Sequence, residues 1–189
     1  MKKWFILLSI FMGFIVLISN FLVQYPVKHF GLSKILTYGA FTYPIAFLIT
    51  DLTNRFYGKF RARKIVYIGF FIGVLFTLFI STNFEDSISI RIAIGSGTAF
   101  LISQLVDINI FDRLRSSSNW FVPPLLSSFG GSLIDTFLFF SISFYGTDVP
   151  WIQLSLGDFA VKIFVAIIML IPFKVLIISL RDVYLYKNL

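Results

Sequence analysis

The sequence predicts an all-α, polytopic membrane protein with six transmembrane helices in one domain covering residues 1–189. Three observations lead there. Of its residues, 58% are hydrophobic and the mean hydropathy is +0.90, whereas a soluble domain is about 45–50% apolar. The apolar runs are continuous rather than alternating, which argues against a β-barrel, and several reach the roughly 20 residues a spanning helix needs. Lysine and arginine are concentrated in alternate connections, as the positive-inside rule expects.

The first run, MKKWFILLSIFMGFIVLISN, starts like a signal peptide with Lys2 and Lys3. Its apolar part is too long and no small-residue cleavage site follows, so it is expected to stay as the first span, roughly residues 4–25. Gly13, Asn20 and Gln24 lie on or near one stripe of it. The second span, roughly 35–55, ends in TYPIAFLITDLTNRFYG, where Phe47, Thr50, Asp51 and Asn54 share a helical face. The basic segment RFYGKFRARK leads to the third, roughly 65–82. The fourth, roughly 91–111, aligns Phe100, Ser103, Gln104, Asp107 and Phe111, and its Gly95 and Ala99 suit close helix packing. The fifth, roughly 120–145, opens on Pro123 and Pro124, where a missing N–H costs little. Ser128, Gly131, Ser132, Asp135 and Phe139 share its face. The sixth runs roughly from 158 to 180. Pro44 and Pro172 inside spans are candidates for kinks.

Charge sets the orientation. Arg55, Lys59, Arg61, Arg63, Lys64, Arg113 and Arg115 fall on one side of a six-span bundle, with Lys2, Lys3, Arg181 and Lys187 of the termini. The other side holds Lys28, Lys34 and Arg91 beside Glu85, Asp86 and Asp148. Both termini are therefore expected in the cytoplasm. Trp4, Trp120 and Trp151 fall near span ends, where amphipathic rings prefer to sit. The net charge of +7 is read as loop charge that orients the chain, not as a nucleic-acid surface.

Several chemistries lack their parts. There is no cysteine, and the single histidine, His29, falls in a loop, so no metal site or cofactor is expected. P-loop, H-E-x-x-H and G-x-S-x-G motifs are absent, as is the G-x-G-D pattern of an intramembrane aspartic protease. The chain is not expected to be an enzyme.

What remains is polarity inside the spans. An ionisable group at the bilayer centre costs roughly 2.5–3.5 kcal/mol on insertion scales and points to function. Asp51, Asp107 and Asp135, with the polar faces around them, should converge inside the bundle. Two readings stand for Asp51 and Asp107: substrate ligands, or partners of Arg55 and Arg113 in an inner gate or salt bridge, with Asp112 at the boundary. Asp135 has no basic neighbour in its own span. Carboxylates and carboxamides between aromatic rings suit a flat, nitrogen-rich heterocycle, because a carboxylate accepts two parallel N–H bonds while rings cover the faces.

The blocks SNFLVQYPV, YGAFTYPIAFLITDLTNRFYG, RIAIGSGTAFLISQLVDINIFDRLR, WFVPP, SLIDT and DFAVKIFVAIIMLIPF together resemble the queuosine precursor transporter family in order and over most of the chain. The sharpest pieces are Asp51-Leu-Thr-x-Arg55-x-x-Gly58 and Asp107-x-x-x-Phe111-x-Arg113-Leu-Arg115. The resemblance implies six helices and import of 7-cyano-7-deazaguanine, 7-aminomethyl-7-deazaguanine or queuine across the bacterial inner membrane, for tRNA queuosine salvage. It also implies kinship with the S components of energy-coupling-factor transporters, so the alternative is a ligand-capturing subunit that needs a separate ATPase. The implied substrate-binding residues are Asn20, Gln24, Asp51, Gln104, Asp107 and Asp135; Asn54, Phe47 and Phe139 are added by spacing alone. A 7-deazaguanine presents N1–H and a 2-amino group side by side, which Asp107 or Asp135 would accept. Gly130-Gly131 stands where relatives carry Gly-Asn before the S-x-x-D-T segment, a departure that bears on selectivity. Proton coupling and facilitated diffusion both remain open, and a homodimer is compatible with the small-residue faces.

Overall fold

The computed structural model describes residues 2–28, 36–77, 79 and 86–186, with backbone alone for 2–4, 76 and 180–186. His29, Lys34, Glu85 and Lys187 lie outside the described residues. Six helices follow one another: α1 (Lys2–Leu22), α2 (Gly39–Tyr57), α3 (Lys59–Phe76), α4 (Ser87–Leu114), α5 (Val122–Phe144) and α6 (Trp151–Tyr186). No helix bounds match the expected spans residue for residue. The expected α2–α3 connection is helical except at Gly58, whose φ of 81° turns the chain at the α2 C-terminus. Likewise α4 and α6 run past the expected span ends at both termini. The physical reason is that hydropathy registers the hydrocarbon slab, whereas polar residues with good helix propensity, such as Lys, Arg and Gln, extend a helix past its margins.

Local chemistry explains the boundaries. Asp86 caps α4, accepting from the backbone N–H groups of Ile88 (3.0 Å) and Ser89 (3.3 Å). Pro123 and Pro124 occupy the first turn of α5. Between α1 and α2, Val27 and Leu36 pair through a 3.0 Å backbone bond beside an isolated Pro26–Thr37 bridge. Pro44 and Pro172 both sit inside helices.

Contacts fix the directions. The even-numbered helices run parallel: Tyr43 of α2 meets Ser96 of α4 and Lys162 of α6, and further along Thr50 meets Asp107 while Phe111 of α4 meets Phe173 of α6. Met12 and Val16 of α1 lie against Gly69 and Gly73 of α3, so these two are parallel as well. α4 and α5 are antiparallel: Arg91 donates to the Ile142 carbonyl and Ser103 to Asp135. The start of α1 and the end of α6 thus lie at one end of the bundle, with the basic residues around Gly58. There Lys59 pairs with Asp112 at 3.2 Å, and Arg55 and Arg115 each donate to the other's carbonyl (3.0 and 2.7 Å).

The bundle buries many polar groups beside its apolar core and turns apolar side chains outward. Asn20, Asp51, Gln104, Asp107, Asp135, Asp158 and Lys162 are all buried, while Phe14, Phe137, Phe164 and Ile171 are more than half exposed. That arrangement is what lipid demands. Four helices contain stretches long and apolar enough to cross a membrane: Phe5–Leu22, Ser87–Leu114, Val122–Phe144 and Trp151–Ser179. Among the described residues α2 and α3 fall short of that standard; α2 carries the polar face and α3 begins with four basic residues in six. Gly95 and Ala99 are buried, and a Cβ on Gly95 would lie 2.5 Å from Ser143 Oγ of α5, so this small-residue pair packs within one bundle.

Candidate functional site

α2, α4 and α5 bring Asp51, Asp107 and Ser127 together. The Ser127 hydroxyl donates to Asp51 Oδ1 at 3.1 Å, and the Thr50 hydroxyl lies 3.4 Å from Asp107 Oδ2. Close approach is possible because Gly131 faces them. A Cβ there would stand 2.6 Å from Phe47 Cε1 and 3.1 Å from Asp107 Cβ. Phe47 therefore lies over the same spot as Asp107, as the shared helical faces predict.

Polar atoms around this point lack protein partners. Gln104 is fully buried, yet neither its Nε2 nor its Oε1 has a hydrogen-bond partner. The same holds for Asp107 Oδ1 and Ser132 Oγ. Leaving such a group unpaired costs about 1–3 kcal/mol, so four such atoms mark a place built to receive a polar ligand. Asn54 is anchored on one side only: its Nδ2 donates to the Ile108 carbonyl at 3.0 Å, while its buried Oδ1 has no partner. A cleft between α2, α5 and α6 leads toward Asp51. Pro44, Ser128, Met169 and Phe173 help to line it.

Asp135 lies one turn along α5 from Gly131 and is already engaged. Lys162 of α6 donates to its Oδ2 at 2.7 Å and Ser103 to its Oδ1 at 3.3 Å. Lys162 also pairs with Asp158 at 2.5 Å, and its Nζ lies 5.0 Å from the Tyr43 ring centre. Reading span by span misses this triad, because the base for Asp135 comes from another helix. The legible signal was the i,i+4 pair Asp158–Lys162 within DFAVK.

Asn20 joins helices. Its Nδ2 donates to Thr77 at 2.9 Å, and its Oδ1 accepts from Tyr43 at 2.7 Å and from Ser96. It ties α1, α2 and α4 to the end of α3, and its Oδ1 already accepts twice. Gln24 does not join the site: α1 ends at Leu22, and Gln24 is exposed. Phe139 packs with Phe140 and Phe144 (centroids 5.0 and 6.0 Å), away from Phe47. The gate pairings take other partners. Arg55 bonds Arg115, Asp112 bonds Lys59, and Arg113 is exposed. Among the described residues no cluster of three or more His, Cys, Asp or Glu is arranged for a metal.

Residues 37–177 match the family described as "Putative vitamin uptake transporter". The chain belongs to this vitamin uptake transporter family. It is 35% identical to a probable queuosine precursor transporter of Haemophilus influenzae, over 90% of this chain and 85% of that one. It is 32% identical to the queuosine precursor transporter of Escherichia coli, over 87% and 82%. A probable queuosine precursor transporter of Bacillus subtilis is 30% identical, over 86% and 80%. No solved structure matches the chain. The relatives are transporters, and the apolar helices make this family member a multi-pass membrane protein.

Proposed function

We propose that the chain imports a queuosine precursor of the 7-deazaguanine class across the bacterial inner membrane without altering it chemically. All six helices span, and both termini face the cytoplasm. The observation that carries the reading is the set of unpaired buried atoms on Gln104, Asp107 and Ser132 beside Phe47. Asp107 accepts N1–H on its unpaired Oδ1 and the 2-amino group on Oδ2, where the ligand displaces the long 3.4 Å bond from Thr50, Gln104 donates to O6, and Phe47 covers one face of the ring system. Asp135 is not the bidentate acceptor, since both its oxygens are engaged within the protein. The α2–α5–α6 cleft is the way in, passing Asp51 and Ser128. Gly131, in place of an asparagine, leaves Phe47 free to approach and shapes selectivity. If two copies pair, they do so on a face other than Gly95 and Ala99.

The test is uptake of labelled 7-cyano-7-deazaguanine by the purified chain in liposomes. Asp107→Asn should abolish it at a normal protein level. Unchanged uptake in that variant removes the pocket assignment. The vitamin uptake description of the family favours a second reading, a capturing subunit that depends on an ATPase. Uptake by the chain alone excludes it, while tight binding without uptake supports it.

A further inference from the structure

The Asp135–Lys162–Asp158 triad has no part in the substrate contacts above. We propose that it is a proton-binding site that couples precursor import to proton entry, with Asp158 Oδ1 as the atom that takes the proton. The proposal rests on the transport reading.

Charge comes first. Lys162, Asp135 and Asp158 side chains are only 2–3% exposed. Fully ionised, two carboxylates around one ammonium leave one negative charge uncompensated, in a setting where an unpaired ion costs several kcal/mol. A single bound proton neutralises the set. A metal cation is a poor alternative, because the Lys162 ammonium already holds the position between the carboxylates.

Hydrogen bonding selects the atom. Asp135 accepts on both oxygens, from Ser103 and Lys162. Asp158 accepts twice on Oδ2, from Thr136 at 2.8 Å and Lys162 at 2.5 Å. Among the described residues its Oδ1 accepts no hydrogen bond. The other groups facing the triad are Tyr43 of α2, whose hydroxyl is turned to Asn20 and Ser96, and the hydroxyls of Ser103 and Thr136. None brings a further charge. The neighbouring carboxylates, Asp51 and Asp107, belong to the layer with Ser127, two turns away along α5.

Placement supplies the coupling. Asp158 lies seven residues into α6, about 10 Å from its start at Trp151, so the route from the end opposite the basic loops is short. On α6, Lys162, Ala166, Met169 and Phe173 recur on one face, and the last three line the cleft. Among the described residues, the hydrogen bonds and ion pairs from α6 side chains to other helices are all at the triad. A proton from the outer phase adds to Asp158 Oδ1 and turns the carboxylate into a neutral carboxylic acid, while Lys162 stays paired with Asp135. A neutral acid accepts less strongly from Thr136, the α5 partner of Asp158, so this link between α5 and α6 loosens about 12 Å along α6 from Ala166, and the cleft opens to the precursor. Release of the same proton to the inner phase restores the ion pair. One proton travels with each neutral solute, moving one positive charge inward.

Purified chain in liposomes, given tritiated 7-cyano-7-deazaguanine and an interior one pH unit more alkaline, should accumulate it up to about tenfold. A protonophore should abolish accumulation. Asp158→Asn should still equilibrate the precursor but lose all response to the pH gradient. Should that variant not fold, Asp158→Glu, which keeps the carboxyl, is expected to retain the response. Wild-type uptake that ignores the pH gradient, or that follows a sodium gradient, overturns the proposal while leaving transport standing. Gradient-driven uptake in Asp158→Asn overturns the assignment to Asp158. No wild-type uptake under any gradient overturns the transport reading itself.

Discussion

At the scale of single residues, Gln104 and Asn20 look alike in the sequence and differ in the fold. Both are buried carboxamides inside spans. Asn20 is joined to Tyr43, Ser96 and Thr77, whereas Gln104 has no partner for either amide atom. Their substitutions should therefore separate. Gln104→Leu keeps the volume and removes two unpaired polar atoms, so melting in detergent should be unchanged or higher. Uptake should fall at least about tenfold, since a ligand group left unpaired costs about 1–3 kcal/mol. Asn20→Ala should do the reverse. It should lower stability by about 2–6 kcal/mol, at roughly 0.6–2 kcal/mol for each of its three interhelical hydrogen bonds, while uptake per folded molecule holds. Thermal unfolding and transport measured on the same preparations check both. That the aspartates face inward was legible from polarity alone. Which of them is free to bind was not, because Lys162 arrives at Asp135 from a helix 27 residues further on.

At the scale of the helices, glycines set how closely polar faces meet. Gly69 and Gly73 let α3 lie against Met12 and Val16 of α1, and Gly131 lets Phe47 reach the level of Asp107. Gly131→Ala places a methyl group 2.6 Å from Phe47 Cε1, so the ring must shift. The expected outcome is a folded protein with weakened precursor binding, measured as a several-fold rise in half-saturation for uptake. The larger Gly131→Val should abolish uptake. Sequence spacing placed each helical face correctly for α2, α4 and α5, since 3.6-residue periodicity survives in any environment. Helix ends were less legible. The termini of α2 and α3 depend on Gly58 adopting a positive φ within a basic run that remains helical on both sides.

At the scale of the molecule, alternation of helix direction puts both helical termini at the end that carries Arg55, Lys59, Arg63 and Arg115. The chain has no cysteine, so introduced thiols report topology on a clean background. Ser118→Cys, in the α4–α5 connection, should react with an impermeant maleimide only after cells are permeabilised. Asp148→Cys, in the α5–α6 connection, should react in intact cells. Labelling of both from the same side would contradict six spans.

Composition and periodicity by themselves determined the membrane class, the helical faces and the segregation of basic loops. These follow from the lipid solvent and the helical repeat, which act on each segment separately. The tertiary structure alone decided which polar groups are paired. It tied Asn20 into a four-helix junction, gave Asp135 to Lys162, turned Arg55 to Arg115 and left Gln104 and Asp107 Oδ1 without partners. Pairing depends on which helices become neighbours and in what register. A carboxylate 27 residues from its base along the chain can be in contact with it in the folded bundle, and no local pattern encodes that.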